Sequence, residues 1–413
     1  MPITRRRLLA AGMSCLAASG LAADAGRSRR DTIQRSLAGI ETECRQGGNG
    51  DWRKFYDATR PVRMELNRLV ADGFRNPRPS RVRADKLALL RSRSEPLRFT
   101  ASGDCIHACL FDFQRPDQPQ EPEPWIGGIR MVGQITALSK WLKSRGADLI
   151  VAPVPRVVEL YPESFLAEAV PRPGIIAPHL RFLTAELLRA DVEVFDLYPP
   201  LKLAAAKGAI PLYLPTDAHW TDPAQRLSAG LLAKHLGRYL FAQEAKKTTG
   251  LYQIRPAEFR FGGYFYEYLT EAELDRTRSS MTQAIQEVIT AAGKPFAAQA
   301  KAPLMVVGDS FTAFWQQAIG REQSGEAAAL RKANDPFAEF KPPAGSGIVP
   351  YLARELNVPV SHRALLGSTL EPFRDLFRDP ELLGGAKAVV WMINTTSLFR
   401  PDAYPQTFRT PPV

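Results

Sequence analysis

The sequence predicts an α/β fold in which a mostly parallel sheet is covered by helices on both faces. Short apolar runs alternate with segments of helical period, the pattern of strand–helix–strand units. The runs at 148–153, 304–307 and 388–393 are apolar on nearly every residue, as strands buried on both faces require. Gly146 follows one helical segment and Pro199 opens another, placing chain-turning residues at element boundaries.

Taken in order, residues 27–84 are rich in arginine and include Asn76-Pro77-Arg78-Pro79, which reads as a peripheral helical or irregular lead-in. A loose alternation from Leu97 to Cys109 suits a first strand, and Arg115 to Pro124 is a proline-spaced loop. Ile129, Val132, Ile135, Leu138 and Leu142 recur at helical spacing, so a helix is expected over 126–145, followed by a strand from Asp148 to Pro153. The alternation continues with a helix at His179–Arg189, a strand at Val192–Leu197, a helix at Pro199–Lys207 and a short strand at Pro211–Leu214. Leu304–Val307 is a strand that runs into Gly308-Asp309-Ser310 and a helix from Phe311, and Ala388–Ile393 is the last strand. Segments 241–300 and 321–347 read as insertions, and no internal repeat is visible.

At 413 residues the chain exceeds the roughly 100–200 residues typical of one domain, so it has ample material for a buried site. Its 45% hydrophobic and 23% charged residues are those of a globular protein. Arg5-Arg6-Arg7 precede an apolar stretch from Leu8 to Ala23 that ends in small residues, the pattern of a signal peptide over residues 1–23. Thr4-Arg5-Arg6-Arg7-Leu8-Leu9 also fits a twin-arginine signal, Sec export being the other route. A retained anchor is the competing reading, but Gly12, Ser14, Ser19 and Gly20 interrupt the run. The expected organisation is therefore a signal at 1–23, a lead-in at 24–94, a catalytic domain at 95–400 and a tail at 401–413, working in a periplasm.

The net charge is +11, of which Arg5, Arg6 and Arg7 supply three, leaving +8 for residues 24–413. That balance is compatible with an anionic partner such as an acidic polysaccharide. No stripe of interleaved aromatic and basic residues marks a nucleic-acid surface, and nucleic acid is not expected as a partner. Outside the signal the cysteines are Cys44, Cys105 and Cys109, an odd number that allows one disulfide in an oxidising compartment and one leftover thiol; pairing of Cys44 with Cys105 or Cys109 would tie the N-terminal segment to the core. Cys105, His107 and Cys109 lack a fourth ligand and a standard zinc spacing, so no metal site is expected, and no cofactor is implied.

Two motifs carry chemistry. In Leu304 to Phe311 a serine stands where a buried strand ends and a helix begins, the edge of an open α/β sheet where ligands bind. There Ser310 can attack an acyl carbon while its own N–H holds the developing charge. Its competing role is to cap the helix. In Thr216-Asp217-Ala218-His219-Trp220-Thr221-Asp222-Pro223, Asp222 reads as an N-cap and Pro223 as the first helical residue, which leaves Asp217 and His219 in a loop. An aspartate two residues from a histidine can accept its Nδ1 hydrogen and leave Nε2 to take the serine proton. Asn394, after the last strand, is a candidate second oxyanion donor or a plain turn former, and Thr395 and Thr396 share that ambiguity. Trp220 is a candidate for stacking on a sugar, with core packing as the alternative.

With Asp217-x-His219-Trp220-Thr221 upstream of Gly308-Asp309-Ser310-Phe311, the chain resembles the AlgJ and AlgX type of alginate O-acetyltransferases. Their SGNH hydrolase-like domain carries these motifs in the reverse of the usual SGNH order. Val151-Ala152-Pro153-Val154-Pro155, Leu160-Tyr161-Pro162 and Val194-Phe195-Asp196-Leu197-Tyr198 support the likeness, which spans about residues 95–400. The resemblance implies a three-layer α/β/α domain that moves acetyl groups to polysaccharide hydroxyls through an acetyl-serine, with a membrane-bound O-acyltransferase as the acetyl donor. No carbohydrate-binding module is recognisable in residues 401–413, so substrate capture is expected within the domain or in a partner. An exported esterase or deacetylase would use the same triad with water as acceptor, and a non-catalytic polysaccharide-binding assembly protein would need neither.

Overall fold

The computed structural model describes residues 29–65, 97–99, 105–107, 124–164, 174–208, 210–214, 219–248, 250–260, 282–313, 343–365 and 371–395. The elements in chain order are α1 (29–48), α2 (Trp52–Ala58), β1 (Leu97–Phe99), β2 (Cys105–His107), α3 (Pro124–Lys143), β3 (Asp148–Val154), α4 (Val157–Leu160), α5 (Pro178–Arg189), β4 (Glu193–Val194) and α6 (Tyr198–Lys207). There follow α7 (Asp222–Leu236), α8 (Leu240–Ala245), β5 (Tyr252–Arg260), β6 (Thr282–Thr290), β7 (Leu304–Gly308), α9 (Ser310–Ala313), α10 (Ile348–Leu356), β8 (Val360–Ala364), α11 (Glu371–Arg378) and β9 (Ala388–Asn394).

Five strands form one parallel sheet in the order β4-β3-β9-β7-β8. Because side chains alternate along a strand, each central strand divides its apolar residues between two cores. Ile150, Ala152, Leu304, Val306, Val390 and Met392 pack on one face with Leu232 of α7 and Leu352 of α10. Leu149, Val151, Met305, Val307, Val389 and Trp391 pack on the other with Ile135 of α3, Leu187 of α5 and Phe373 of α11. The result is the α/β/α sandwich with a parallel sheet that the continuous apolar runs predicted.

The helix expected over 126–145 runs from Pro124 to Lys143, and Gly146 at φ 78° takes the left-handed conformation that turns the chain into β3. Three expectations need correction. The segment from Leu97 to Cys109 is not a strand of the main sheet; Leu97–Phe99 pairs antiparallel with Cys105–His107 in a two-stranded ribbon. Pro211–Leu214 is not a strand either, since only the bridge between Tyr213 and Trp220 forms there. Only Glu193 and Val194 of the run from Val192 to Leu197 pair with β3. The expected insertion at 241–300 contains the β5–β6 hairpin, whereas 314–342 lies outside the described residues, as do residues 1–28 with the signal segment and 396–413 with the tail.

The lead-in docks by charge as well as by apolar contact. Glu193, fully buried on β4, receives Arg29 from α1, His235 from the last turn of α7 and Arg238 from just beyond it. Farther along α1, Glu43 pairs with Arg181 of α5, while Ile33 and Ile40 join the core under α3. Cys44 is a buried, unbridged thiol, so its pairing with Cys105 or Cys109 does not form; burial pushes its thiol up. Cys109 lies outside the described residues. No described helix is long and apolar enough to cross a membrane.

Candidate active site

The chain leaves β3 for β4 on one side of the sheet and leaves β7 for β8 on the other, with β9 inserted between β3 and β7. That reversal creates a crevice beyond the carboxyl ends of β3, β9 and β7, where an open parallel sheet binds its ligands. Ser310 follows β7, Asn394 and Thr395 end β9, and Pro155 to Glu159 follow β3, so all three segments meet at this edge.

The turn after β7 depends on Gly308. A Cβ at that position would lie 2.2 Å from Thr312 Oγ1 and 3.3 Å from the carbonyl oxygen of Met392, so a side chain has no room between the strand and the helix it feeds. Asp309 then caps α9: its carbonyl accepts from Thr312 N at 3.0 Å and its Oδ1 accepts from Phe311 N at 2.9 Å. Ser310 is therefore the first helical residue and not the cap. This resolves the competing role of the serine, because the capping is done by its neighbour. A first helical residue also has no acceptor for its N–H within the helix.

The second Asp309 oxygen, Oδ2, accepts from Asn394 N at 2.8 Å and ties the end of β9 to the turn after β7. Asn394 thus stands beside Ser310's turn, and its main chain is held by the residue before the serine. Asp309 has no cation bound to it among the described residues. Burial pushes its carboxyl above the ordinary aspartate range, against the opposing pull of the Asn394 and Phe311 N–H groups and of His219.

His219 reaches the same place from another loop. Its carbonyl accepts from Leu214 N at 2.9 Å, and Thr221 N donates to Leu212 O at 3.0 Å, closing the turn that contains the motif. The His219 ring packs on Phe311 with centroids 5.0 Å apart, so the imidazole sits against the residue next to Ser310. Asp217 lies outside the described residues. The expected cap moves by one residue: Thr221, not Asp222, caps α7, its Oγ1 accepting from Ala224 N at 3.3 Å. Asp222 is instead a buried first-turn residue paired with Arg226 and Tyr351.

Trp220 does not present a face to a sugar. It is fully buried, and its Nε1 donates to Phe311 O at 2.8 Å. It stitches the His219 loop onto the Ser310 turn, a core role that its place beside a helix start had left open.

Sequence reasoning missed the polar arrangement after β3. Glu159 Oε2 accepts from Arg156 N at 2.7 Å and Arg156 Nε at 3.1 Å, and also from Thr395 Oγ1 at 2.7 Å. The buried pair thus anchors Thr395 as Asp309 anchors Asn394. Tyr213, at the root of the His219 loop, donates its hydroxyl to Pro155 O. A glutamate three residues into a helix, reaching back to the residue before the first turn, is a recognisable spacing signal. Here it went unread because arginine occupies the cap position.

Residues 129–336 match a family described as "SGNH hydrolase-like domain, acetyltransferase AlgX". Among solved structures, the O-acetyltransferase domain of AlgJ from Pseudomonas putida is similar at 18% identity and a TM-score of 0.50, covering 76% of this chain and 96% of that one. AlgX from Pseudomonas aeruginosa is similar at 16% identity and a TM-score of 0.47, over 76% of this chain and 64% of that one. At 18% identity the likeness to the AlgJ domain speaks for the fold alone. A comparison with curated proteins finds no match.

Proposed function

The chain belongs to the SGNH hydrolase-like acetyltransferase AlgX family, and from that premise we propose that it is a serine-dependent O-acetyltransferase acting on hydroxyls of an exported polysaccharide in the periplasm. The observation that carries this reading is the turn after β7. Asp309 does the capping, which leaves the Ser310 hydroxyl at the ligand edge of the sheet with His219 packed against the next residue.

In the first step Ser310 Oγ bonds to the acetyl carbon of the donor and gives its proton to a ring nitrogen of His219, while Asp217 orients the ring. The oxyanion meets the Ser310 N–H and Asn394, and collapse expels the donor's leaving group, which takes the proton from His219. In the second step an acceptor hydroxyl loses its proton to His219 and attacks the acetyl-serine, and Ser310 Oγ leaves with that proton. A membrane-bound O-acyltransferase supplies the acetyl donor, and a polysaccharide is the acceptor. With water as acceptor the same steps give hydrolysis.

The experiment is turnover of p-nitrophenyl acetate with and without an oligosaccharide acceptor, coupled to mass spectrometry of the Ser310 peptide. Ser310→Ala should lower turnover by about a thousandfold or more while circular dichroism stays native, and the acetylated Ser310 peptide should accumulate in the wild type. Retained turnover in Ser310→Ala would overturn serine dependence. Hydrolysis indifferent to every acceptor would replace transfer by esterase activity.

A further inference from the structure

One cavity adjoins the site without belonging to the serine's machinery. It has a volume of about 30 Å3 and opens beyond the ends of β3 and β4, between Pro153, Pro155, Asp196, Tyr198 and Thr395. Thr395 directly follows Asn394, whose N–H is bound by the residue before Ser310, so the cavity and the nucleophile share one crevice. β3 and β7 each pair with β9, which sets their ends about 10 Å apart, two inter-strand spacings and within the reach of a disaccharide.

Its walls divide by chemistry. Ile175, Ile176 and Leu180 form the apolar side. On the polar side Glu159 and Asp196 face the cavity, and Arg181 is the one cation among the lining residues described. Arg181 is already engaged: Nε and Nη2 hold Glu43 at 2.7 and 2.9 Å, and Nη2 reaches Asp196 Oδ2 at 2.8 Å. Among the described residues the Tyr198 hydroxyl makes one long contact, donating to Gly174 O at 3.4 Å, weak enough for a ligand acceptor to take over that hydrogen. Burial holds that hydroxyl protonated well beyond the ordinary tyrosine range.

Size and charge then select an occupant. A water needs about 10–15 Å3 on this scale, so the cavity takes roughly two or three heavy atoms, the size of a sugar's C6 arm and not of its ring. A hydroxymethyl arm and a carboxylate both fit by volume. The carboxylate would face Asp196, which shares the one lining guanidinium, Arg181, with Glu43, while the charge of Glu159 is already balanced by Arg156; an alcohol can instead donate to Asp196 and accept from Tyr198.

We infer that this cavity is an acceptor subsite for the uncharged hydroxymethyl arm of a neutral hexose and that it discriminates against the corresponding uronate. The inference rests on the proposed transfer to a polysaccharide. The chain's overall positive balance acts on partners at longer range; the subsite reads the local charge.

The test is calorimetric titration of the full-chain Ser310→Ala protein, which cannot turn ligands over. The probes are neutral tetramers of gluco, manno and galacto hexoses and the same tetramers oxidised at C6 to uronates. At least one neutral tetramer should bind about tenfold more tightly than its uronate. Adding Tyr198→Phe should weaken that tetramer by roughly five- to tenfold, the loss of one hydrogen bond. Adding Asp196→Asn removes a charge and should narrow the gap between neutral and uronate probes, a change that a general loosening of the fold would not produce. Ile254→Gln, on the exposed hairpin, serves as the control that leaves binding unchanged.

Uronates binding as tightly as their neutral partners in every pair, no tetramer binding at all, or dissociation constants indifferent to both substitutions would each overturn the subsite. These failures are separable from failure of the proposed function. Turnover lost in Ser310→Ala with a failed titration removes only the subsite; retained turnover with the expected titration removes only acetyl transfer through Ser310.

Discussion

The ends of β7 and β3 flank the same strand, β9, and each fixes one residue of its terminus with a buried carboxylate, yet they do so by opposite means. After β7, Asp309 is held by main-chain N–H groups from Phe311 and Asn394 in a turn so close that only glycine fits before it. After β3, Glu159 is held by Arg156 and by the Thr395 hydroxyl, next to a second ionic arrangement of Arg181 with Glu43 and Asp196. One end is built from backbone geometry and the other from compensated charge. The difference fits the roles proposed for the two ends. A nucleophile needs its position fixed without a competing cation nearby, while a surface that selects hydroxyls over carboxylates needs negative charge held in place.

If that contrast is right, the β3 end should be the more fragile to loss of a side chain. Removing one partner of a buried pair strands the other, which costs about 3–5 kcal/mol, more than the pair itself contributes. Arg156 is 2% exposed and Glu159 5%, so Glu159→Ala should lose close to that amount in urea unfolding. Glu159→Gln keeps an acceptor for Thr395 Oγ1 and should recover part of the loss. Equal, small losses in both variants would mean that Arg156 finds another partner and that charge compensation is not what holds this end.

The same contrast explains what was legible in the sequence. The sheet was readable because strands buried on both faces are apolar at nearly every position, and 149–154, 304–308 and 388–393 satisfy that, with the polar Asp148 and Asn394 only at strand ends. β8 was not, since Val360-Ser361-His362-Arg363-Ala364 at the sheet edge mixes polar residues into the run. The short paired segment at Glu193–Val194 was overextended because Val192 and Leu197 are buried outside any ladder. The places of Ser310, after a buried strand, and of His219, in the loop before a helix, were legible from the apolar run and the turn residues around them, which are local signals. Asp309's bond to Asn394 spans 85 residues and Thr395's bond to Glu159 spans 236, and no local pattern announces such partners. Trp220 was ambiguous for the same reason: its hydrogen bond to Phe311 O is a tertiary fact.

The β7 end should respond instead to added volume. Gly308→Ala puts a methyl group 2.2 Å from Thr312 Oγ1 and 2.6 Å from Thr312 Cβ, on a threonine that is itself fully buried. Overpacking of this kind costs about 1–3 kcal/mol. Because the shift falls on α9, turnover should drop with stability. Thr312→Ala in the same chain removes the Oγ1 contact but keeps Cβ, so it should restore part of the loss, and the double-mutant cycle measures that coupling. Full additivity of the two substitutions would show that the turn relaxes some other way and that Gly308 is not the close point between strand and helix.

The smallest effect is the pH dependence contributed by the Asp309 carboxyl. Asp309 has no cation bound among the described residues, and burial raises its carboxyl above the unfolded value. The folded state therefore keeps that proton to higher pH than the unfolded chain does. Between the two values the unfolded state binds fewer protons, so Asp309's contribution to stability falls as pH rises through the ordinary aspartate range toward the folded value, and is constant beyond it. Asp309→Asn removes the titration but also replaces one acceptor oxygen with a donor facing an N–H, so the variant starts less stable at every pH. The informative quantity is the slope. The difference in unfolding free energy between wild type and Asp309→Asn, followed from pH 3.5 upward at constant salt, should shrink as pH rises and then level off. A difference that grows with pH would mean that the two N–H bonds and His219 outweigh burial, and that Asp309 is as well compensated by backbone dipoles as Glu159 is by its arginine.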